Sequence, residues 1–359
     1  MKTDQKPLAD ALSKGAKVAD SKGTMPVLAD VRLSTDGGVL TIEATNLATG
    51  YTTSLSCSGD IEPVCCNARD LLDRVKAMPP AELTLKLDKQ MLSIQHGKRR
   101  FRLHTRPGEE FPESPRVDSG PEYEFAAPDL LGYIGTVRHA ISSDVTRQHL
   151  NSLLFRIESR VLTLAATDGR RLGVRQVKLQ IPEATDCSAL IPLQGVQHLT
   201  SVLDGAETAT LQLSDTVVAA TADGDRVWAK LTEGQFPPYE QVIPDKCARS
   251  ATCNREALMG AIRAVAVSAS AVTGGVVFRA SDKGVTVTAE SPDAGDATDT
   301  VDGTVGGEPL TFGCSARYLL DALSVLECED VTIEGGAELD PIKIVDGETT
   351  QVCMPMRVA

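Results

Sequence analysis

The sequence lacks any run of about 18 apolar residues, the length that a membrane-spanning helix requires. Its first segment, MKTDQKPLADALSKGAK, is too polar for the hydrophobic core of a secretory signal. An excess of positive charge is also missing, because the 359 residues carry 36 Lys and Arg against 49 Asp and Glu, a net charge of −13. A protein that coats nucleic acid by charge alone would be basic, so any contact with DNA must come from a local face.

Cysteine patterns for metal or disulfide chemistry are absent as well. The nine cysteines form no C-x-x-C pair and no Cys/His cluster at zinc spacing, and the adjacent Cys65 and Cys66 are too close for easy bridging. This usage predicts reduced thiols in the core of a cytoplasmic protein. Hydrophobic residues make up 42% of the chain and charged residues 24%, which is enough apolar material for ordinary cores.

The motifs of several enzyme classes are missing too. There is no G-x-x-x-x-G-K-[ST] phosphate loop, no G-x-S-x-G elbow and no H-E-x-x-H helix, and the five histidines are scattered. The acidic stretch DAGDATDTVD (293–302) does not follow the calcium-loop pattern, so we expect a solvated loop there. We therefore expect neither a metal nor a cofactor.

What the sequence does contain is a threefold repeat. LTIEATN (40–46) recurs as LTLAATD (162–168) and more faintly as VTVTAES (285–291), each alternating apolar and polar residues as a half-buried strand does. Helical patterns accompany the copies at 1–22, 67–78, 129–149, 193–204, 254–268 and 316–323. The spacing predicts three similar α+β domains, 1–119, 120–245 and 246–359, each with two helices packed on antiparallel sheets. Proline-rich linkers are expected at 112–121 and 237–244.

Charge divides between the predicted helices and the remainder of the chain. The six helical segments hold 13 basic and 10 acidic residues, a net of +3, whereas the other residues hold 23 and 39, a net of −16. A mildly positive helix surface in an acidic protein would contact DNA phosphates only weakly, so that the DNA could move past it. Ordinary solvation of the helices is the alternative. Three repeated domains could also curve into a ring, alone or with a second copy.

Three further motifs identify a resemblance. ATDGRRL (166–172), QFPPYEQVIP (235–244) and MPMRV (354–358), in register with the repeat, resemble the bacterial DNA polymerase III beta subunits, the sliding clamps. The resemblance covers essentially the whole chain. It implies a DNA clamp fold in which each chain forms half of a closed ring, and a homodimer that encircles duplex DNA and tethers the replicative polymerase without catalysis or a cofactor.

The same resemblance implies a set of partners. They are double-stranded DNA, the DNA polymerase III catalytic subunit, the clamp-loader complex and other proteins with a clamp-binding motif, such as repair polymerases, mismatch-repair proteins and ligase. It also implies a cytoplasmic, nucleoid-associated location and no membrane partner.

The resemblance implies a cleft for a short, mostly apolar peptide of a partner. Leucine, valine and methionine would form the pocket, and polar groups would fix the orientation of the peptide. The C-terminal Met/Pro segment could instead be plain core strand. The residues at the matching positions are Leu150, Thr167, Gly169, Arg170, Arg171, Leu172, Pro237, Val242, Val352, Met354, Pro355, Met356 and Arg357.

Two rim positions depart from the pattern of the family. Arg170 stands where many members have His, and Gln241 stands where an Arg is common. The preferred peptide is therefore expected to differ, and a divergent clamp paralogue with an altered partner set is an alternative interpretation.

The DNA contacts and the ring joint are also implied only by resemblance. Arg147, Gln148 and His149 occupy a loop where members often present aromatic residues, so stacking on DNA would be weaker here and phosphate contact would remain. An isolated surface arginine is otherwise usually just solvated. The full set of candidate DNA contacts is Lys22, Arg69, Arg74, Lys76, Arg138, Arg147, Gln148, His149 and Arg263.

At the joint, Phe101 and Leu103 of the first domain would face Ala266 and Val267 of the third domain in another copy, although Phe101 could instead be an ordinary core residue.

One competing hypothesis is a hydrolase or transferase on the same fold. Asp168, with Arg170 and Arg171 beside it, would form its polar site. The repeat counterpart of Asp168 is Asn46, which favours a role in a turn instead.

Overall fold

The computed structural model describes residues 1–115, 117, 120–180 and 185–357. The chain forms two compact units, which we call unit 1 (residues 1–131 and 194–231) and unit 2 (residues 132–193 and 232–359). Within the described residues, each unit contains one nine-stranded and one four-stranded sheet, and neighbouring strands pair antiparallel throughout.

Six α-helices lie in the described part of the chain, and none is long and apolar enough to cross a membrane. They are α1 (Gln5–Val18), α2 (Ala68–Lys76), α3 (Ala127–Val137), α4 (Leu193–Leu203), α5 (Arg255–Val265) and α6 (Ala316–Ser324). Short 3-10 turns span Pro26–Ala29, Gly108–Glu110, Arg138–Ala140, Tyr239–Val242 and Ala266–Ser268.

The strands follow in chain order. The first ten are β1 (Lys2–Asp4), β2 (Asp30–Asp36), β3 (Val39–Thr45), β4 (Thr49–Ser56), β5 (Val64–Asn67), β6 (Glu82–Asp88), β7 (Met91–His96), β8 (Arg99–His104), β9 (Arg106–Pro107) and β10 (Glu122–Ala126). The next seven are β11 (Ser152–Glu158), β12 (Val161–Thr167), β13 (Arg171–Lys178), β14 (Cys187–Pro192), β15 (Thr208–Leu213), β16 (Val217–Ala222) and β17 (Asp225–Lys230). The last nine are β18 (Arg249–Asn254), β19 (Gly275–Ser281), β20 (Gly284–Ser291), β21 (Gly295–Val301), β22 (Gly303–Gly307), β23 (Leu310–Ser315), β24 (Asp330–Gly335), β25 (Ile342–Asp346) and β26 (Thr349–Cys353).

The sheets join strands that are far apart in the sequence. In unit 1 the orders are β1-β6-β7-β8 and β10-β15-β16-β17-β4-β3-β2-β5-β9. In unit 2 the orders are β14-β11-β12-β13-β26-β25-β24-β18-β22 and β21-β20-β19-β23. Because β13 pairs with β26, the C-terminal strand lies beside the strand that follows the ATDG turn, and this pairing builds the site described below.

The threefold repeat is confirmed at the level of strands. The three repeated segments form β3, β12 and β20, and the alternation of β3 buries Leu40 and Ile42. Helix packing also repeats, since α1 lies against α2 in unit 1 and α5 against α6 in unit 2. In unit 2 the enclosed core includes Phe278 stacked on Phe312, with ring centroids 4.8 Å apart.

One helix in each unit starts with an asparagine cap. Asn67 caps α2 by accepting the Asp70 N–H, and Asn254 caps α5 by accepting the Ala257 N–H. Five of the six helices in the described residues are shorter than the segments expected from sequence, yet the six together hold nine basic and six acidic residues. The expected net charge of +3 is therefore retained.

Two of the predicted helices were much too long. The segment 129–149 is helical only to Val137, because after a short 3-10 turn the backbone N–H groups of Asp144 and Thr146 are taken by the side chains of Ser142 and Asp144. The segment 1–22 contains β1 before α1, and its last residues form a turn in which Asp20 accepts the N–H groups of Lys22 and Gly23.

The prediction of a solvated loop at 293–302 was wrong. Residues Gly295–Val301 form β21, which pairs with β20 from Ser291↔Gly295 to Val285↔Val301. Thr298, Thr300 and Val301 favour a strand, and Asp296 and Asp299 are exposed, so the segment pairs with β20 while its charges remain in solvent. The predicted linker 237–244 contains the 3-10 turn at Tyr239–Val242, and Tyr239 is buried.

One glycine in unit 1 is required by a close approach. Gly50 on β4 is opposite Trp228 on β17, and a Cβ at Gly50 would lie 2.2 Å from Trp228 Nε1. Trp228 is buried against Val117, Val217 and Ala219, so the ring cannot move aside. This contact lies where β4 and β17 join the two halves of the nine-stranded sheet.

We expect Gly50→Ala to lower the free energy of unfolding of unit 1 by about 2–3 kcal/mol through overpacking. Denaturant unfolding followed by fluorescence measures this directly, because Trp228 is the single tryptophan of the chain. The matched control is Gly15→Ala in α1, where the added Cβ makes ordinary contacts of 3.4 Å or longer and helix propensity gains up to about 1 kcal/mol. Equal stability of the two variants would contradict the prediction.

Candidate functional site

A cavity of about 420 Å³ opens on unit 2. It is bounded by the turn between β12 and β13, the loop before β11, the 3-10 turn at Tyr239–Val242 and the end of β26. Its lining is mostly apolar, with a few polar groups at the edge: His149, Leu150, Thr167, Gly169, Arg171, Leu172, Pro237, Pro238, Tyr239, Gln241, Val242, Val352 and Met354. An apolar cavity with few polar groups suits an apolar ligand whose orientation is set at the rim.

The turn between β12 and β13 is fixed by its own side chains. Asp168 Oδ1 accepts the N–H groups of Arg170 and Arg171 at 2.8 and 3.1 Å. Thr167 Oγ1 donates to the Arg171 carbonyl at 2.7 Å and accepts the Gly169 N–H at 3.1 Å. Gly169 has a φ of +88°, which a glycine adopts without strain.

The turn of the first repeat has the same hydrogen bonds. Asn46 Oδ1 accepts the N–H groups of Ala48 and Thr49, and Thr45 Oγ1 donates to the Thr49 carbonyl while accepting the Leu47 N–H. The turn role expected for Asp168 from its repeat counterpart is confirmed.

Arg171 is part of the cavity wall, but its charge is neutralised within the protein. Its side chain is only 6% exposed, with Nε 3.0 Å from Asp168 Oδ2 and Nη1 2.5 Å from Asp321 Oδ2. The guanidinium also lies over the ring of Tyr318, 4.7 Å from its centroid. Arg171 therefore holds the turn to α6 and is not available to a ligand as a free cation.

The floor of the cavity is formed by two paired strands. Leu172 on β13 is opposite Val352 on β26, and both pack in one cluster with Leu154, Val174 and Tyr239. The segment after β26 leaves the core, since Met354 is 37% exposed. The alternative of plain core strand therefore describes β26 but not residues 354–357.

A second cavity of about 320 Å³ adjoins the first and shares Met354 with it. The chain is anchored on either side of it, because the Met354 N–H donates to the Arg170 carbonyl and the Met356 N–H to the Gly313 carbonyl, both at 2.8 Å. Its lining is Arg170, Val272, Thr273, Ser315, Tyr318, Met354, Pro355 and Met356.

The predicted cleft residues are thus distributed over two cavities. Pro355, Met356 and Arg170 line the second cavity, and the exposed Arg357 lines neither. The first cavity collects the other nine: Leu150, Thr167, Gly169, Arg171, Leu172, Pro237, Val242, Val352 and Met354.

Sequence reasoning missed several lining residues. Pro238 and Tyr239 lie within the quoted QFPPYEQVIP motif, so the motif itself could have found them. Tyr318 lies in a recognised helix, but nothing in a helical pattern reveals that it contacts Arg171. Val272 and Thr273 come from a loop with no motif.

The loop before β11 lies at the cleft. His149, predicted as a DNA contact, lines the first cavity. Arg147 Nε is 2.9 Å from Asp144 Oδ2, and its Nη1 is 3.9 Å from the place of a Cβ on Gly169. Gln148 is exposed.

The other predicted DNA contacts lie on the surfaces of their own units. Arg74 is half-buried and lies 3.3 Å from Asp70, which partly neutralises its charge. The exposed cations are Lys22, Arg69, Lys76, Arg138 and Arg263.

Two edge strands carry opposite charges. β8 is an edge of the four-stranded sheet of unit 1 and exposes Arg99, Arg100 and Arg102. β21 is an edge of the four-stranded sheet of unit 2 and exposes Asp296 and Asp299.

The four predicted joint residues differ in accessibility. On β8, Phe101 is half-buried, whereas Leu103 is 5% exposed and already belongs to the interior of its own chain. Leu103 can therefore contribute little to a joint. Ala266 is half-buried and Val267 is 82% exposed.

Other chemistry is limited in the described part of the chain. No group of three or more His, Cys, Asp or Glu there is placed to hold a metal ion. All nine cysteines are free thiols, and burial raises the pKa of Cys65 to about 12.

The family models match the chain in three consecutive pieces. They are the N-terminal domain of the DNA polymerase III beta subunit at residues 1–115, its central domain at 127–238 and its C-terminal domain at 240–357. The beta sliding clamp of Vibrio cholerae is 27% identical over 344 residues, 94% of each chain. That of Pseudomonas aeruginosa is 27% identical over 353 residues, 96% of this chain and 95% of the relative.

Solved structures agree over the full length. The DNA polymerase III subunit beta of Pseudomonas aeruginosa superposes with a TM-score of 0.94 at 25% identity, covering 100% of both chains. A sliding clamp from the same organism, bound to griselimycin, gives 0.93 at 26% identity over 100% of this chain and 99% of that one. The Bacillus subtilis clamp gives 0.94 at 22% identity with the same coverage, a likeness of fold.

A histidine beside the cleft makes unit 2 sensitive to acid. Burial lowers the pKa of His139 to about 4, and Arg171 adds to this, while Asp321, Asp168 and Gln351 oppose it. The pKa of His139 in the folded protein lies below the ordinary value of about 6.5, so the unfolded chain binds a proton more readily than the folded one. The free energy of unfolding of unit 2 is therefore highest above pH 6.5 and decreases as pH falls towards 4.

We expect the free energy of unfolding of unit 2 to decrease by about 3 kcal/mol over this range because of His139. In His139→Gln this part of the pH dependence between pH 6.5 and 4 should be absent. Urea unfolding of unit 2 at several pH values, followed by circular dichroism, measures it. The comparison variant is His198→Gln in unit 1, where burial and Lys17 lower the pKa of His198 as well, so its effect should appear in the unfolding of the other unit. An unchanged slope for unit 2 in His139→Gln would refute the assignment.

Proposed function

The chain belongs to the family of DNA polymerase III beta subunits, and on that premise we propose that two copies close into a ring at defined edge strands and present the unit 2 cleft to peptides of partner proteins. The protein is a DNA sliding clamp, a non-catalytic processivity factor that acts with DNA and its polymerase. The observation that carries this function is the agreement of all three domains in order over the whole chain.

A catalytic role for Asp168 is not supported by its contacts. Both of its oxygens are engaged, Oδ1 by two backbone N–H groups and Oδ2 by Arg171. A carboxylate used in this way shapes a turn, and its charge is already paired with Arg171.

We assign peptide binding to the two adjacent cavities of unit 2. Support comes from the apolar floor of Leu172 and Val352, from the rim set by the Asp168 turn, and from Met354, which is shared by both cavities and can adapt its shape. A relative of the same fold, the Pseudomonas aeruginosa clamp, binds griselimycin. We also include Arg357 among the proposed peptide-binding residues, as an exposed cation at the rim beyond the two cavities.

The ring joint is proposed at the two oppositely charged edges. β8 of one copy would add to β21 of another and continue the sheet, since both are edge strands of the described sheets with exposed charges of opposite sign. Phe101 and the exposed Val267 would add apolar contact beside this pairing, with Ala266 partly covered. The joint would thus rest on strand pairing and charge more than on Leu103.

Exposed cations on the helices and in the turns that follow them are proposed to meet the DNA backbone. Lys22, Arg69, Lys76, Arg138 and Arg263 remain available in their units. Arg74, Arg147 and His149 are weaker candidates, because Arg74 and Arg147 are paired with aspartates and His149 lines the cleft. Few unpaired cations favour contacts that are loose enough to slide.

We propose specific partner proteins from those that the family implies. They are the DNA polymerase III catalytic subunit, the clamp loader, repair polymerases, mismatch-repair proteins and ligase, and the protein would bind them at the nucleoid in the cytoplasm.

The proposed domain boundaries lie at 119/120 and 245/246. Ser119 and the terminal Ala359 lie outside the described residues. Because Arg170 and Gln241 depart from the residues common in the family, we propose that this protein prefers different peptides from other members, as a divergent paralogue would.

A closed ring predicts retention by topology. Loaded on a nicked circular duplex by its clamp loader, the protein should stay on the DNA in salt that dissolves ionic contacts, and should leave once a restriction enzyme linearises the circle. Gel filtration of the labelled protein with DNA before and after cutting measures this. Loss from the intact circle at that salt would contradict the ring.

Charge reversal at β8 tests the joint. We expect Arg100→Glu combined with Arg102→Glu to raise the dimer dissociation constant about tenfold through repulsion from Asp296 and Asp299. Light scattering should then give a mass falling from twice 38.1 kDa towards one chain.

Two further variants complete this test. Adding Asp296→Lys and Asp299→Lys should restore the dimer, and Lys178→Glu, an exposed change on β13, should leave it intact. A dimer unaffected by the double arginine change would place the joint elsewhere.

A further inference from the structure

We propose that a polar cavity of unit 1 binds hydrogen phosphate, the form of inorganic phosphate that carries one P–OH group. The cavity has a volume of about 730 Å³ and is lined only by residues of unit 1, whereas the peptide cleft belongs to unit 2. The inference therefore does not depend on peptide binding. The lining residues that carry charge or a side-chain amide are Asp30, Asn67, Asp70, Arg74, Gln90, Arg102, His104 and Arg106.

Asp30 is a buried carboxylate with one unused acceptor. It begins β2 opposite Asn67 of β5, and it is only 1% exposed although it lines the cavity. Arg106 Nη1 is bonded to its Oδ2, whereas its Oδ1 has no hydrogen-bond partner among the described residues. A buried acceptor without a partner costs free energy, so a ligand that supplies a donor at this atom gains affinity.

The surroundings of Asp30 favour a hydrogen on that ligand. An ionised carboxylate only accepts hydrogen bonds, so a second bare anion beside it is repelled. Burial raises the pKa of Asp30, Arg106 opposes the rise, and Glu110 adds to it. A donated O–H satisfies the carboxylate without protonating it, which is what a P–OH group offers.

Three arginines supply positive charge around the same cavity. Arg106 is 43% exposed and uses only Nη1 on Asp30, and Arg102 is 49% exposed, with a single ion pair among the described residues, 3.9 Å long. Arg74 lies on the same face of α2 as Asp70 and donates to its carbonyl at 2.8 Å. The free edges of guanidinium groups bind phosphate oxygens in pairs.

The combination of arginines with a carboxylate selects among anions. Sulfate and phosphodiesters have no O–H near neutral pH, and a phosphate monoester loses its last P–OH near pH 6, to a pKa of about 6. Hydrogen phosphate keeps one P–OH at neutral and mildly alkaline pH, so it can donate to Asp30 Oδ1 while its other oxygens accept from the arginines. This chemistry differs from contact with the DNA backbone, which requires only cations.

Isothermal titration calorimetry of the full chain at pH 8 and constant ionic strength tests the proposal. The ligands are sodium phosphate, sodium sulfate and methyl phosphate, which represent an anion with a P–OH, an anion without one and the end of an organic phosphate. We expect phosphate to bind about tenfold more tightly than the other two, the usual size of one charge-assisted hydrogen bond.

Asp30→Asn separates this role from a purely structural one. The amide removes the repulsion and can itself donate, so sulfate should bind more tightly than it does to the unaltered chain, and the preference for phosphate should disappear. Loss of a structural ion pair alone would not improve the binding of sulfate. Circular dichroism checks that the variant is folded.

A second pair of variants keeps the test independent of Asp30. Arg102→Gln should weaken phosphate binding about threefold or more, whereas Arg100→Gln, which removes an exposed arginine of the same strand that does not line the cavity, should leave it unchanged. Both changes take one charge from β8, so an effect through the proposed joint would be equal in the two.

Three outcomes would overturn the proposal. They are equal binding of phosphate and sulfate to the unaltered chain, absence of phosphate binding, and an equal loss in Arg100→Gln and Arg102→Gln. Methyl phosphate binding as tightly as phosphate would show that the cavity takes organic phosphates, and would overturn the role of the P–OH group. None of these results bears on the ring or on the peptide cleft.

Discussion

The cleft depends on one buried charge, the guanidinium of Arg171. It joins the turn after β12 to α6 through Asp168 and Asp321 and stacks over Tyr318 of the same helix, so two segments distant in sequence meet at a single side chain. Burying a charge is costly unless its partners are complete, and removing one partner of such a group costs about 3–5 kcal/mol. The same contacts that neutralise Arg171 also fix the backbone of Arg170 and leave its side chain free.

Backbone pairing supplies the rest of the site. β13 and β26 lie side by side, so Leu172 and Val352 are brought together although 180 positions separate them in the sequence. Beyond Cys353 the chain leaves the sheet but remains anchored by the N–H groups of Met354 and Met356. A main chain held at two points with flexible methionine side chains suits a surface that accepts several related peptides, since the pocket can change shape without losing its position.

The sequence predicted the strands that have a periodic pattern, but it did not predict the features that depend on tertiary contacts. The strands at LTIEATN, LTLAATD and VTVTAES follow from alternation, and the comparison of Asn46 with Asp168 correctly indicated a turn. The end of α3 was missed because Ser142 and Asp144 compete for backbone N–H groups, an effect that apolar spacing does not show. β21 was missed because its aspartates mask a strand that exists only by pairing with β20. The proximity of Tyr318 to Arg171 depends on how α6 packs, which no local pattern encodes.

The placement of charge explains how an acidic protein can work on DNA. A net charge of −13 repels the phosphate backbone at a distance, so only surfaces enriched in cations can approach it. The described helices of the two units together carry a small excess of three positive charges rather than a dense patch. Tight ionic binding grows with every phosphate that is neutralised and would hold the protein in place, whereas a clamp must move. Retention therefore has to come from closing a ring, which places the demand for affinity at the joint. In the proposed joint, the opposite charges on β8 and β21 would meet that demand between copies while leaving the contact with DNA weak.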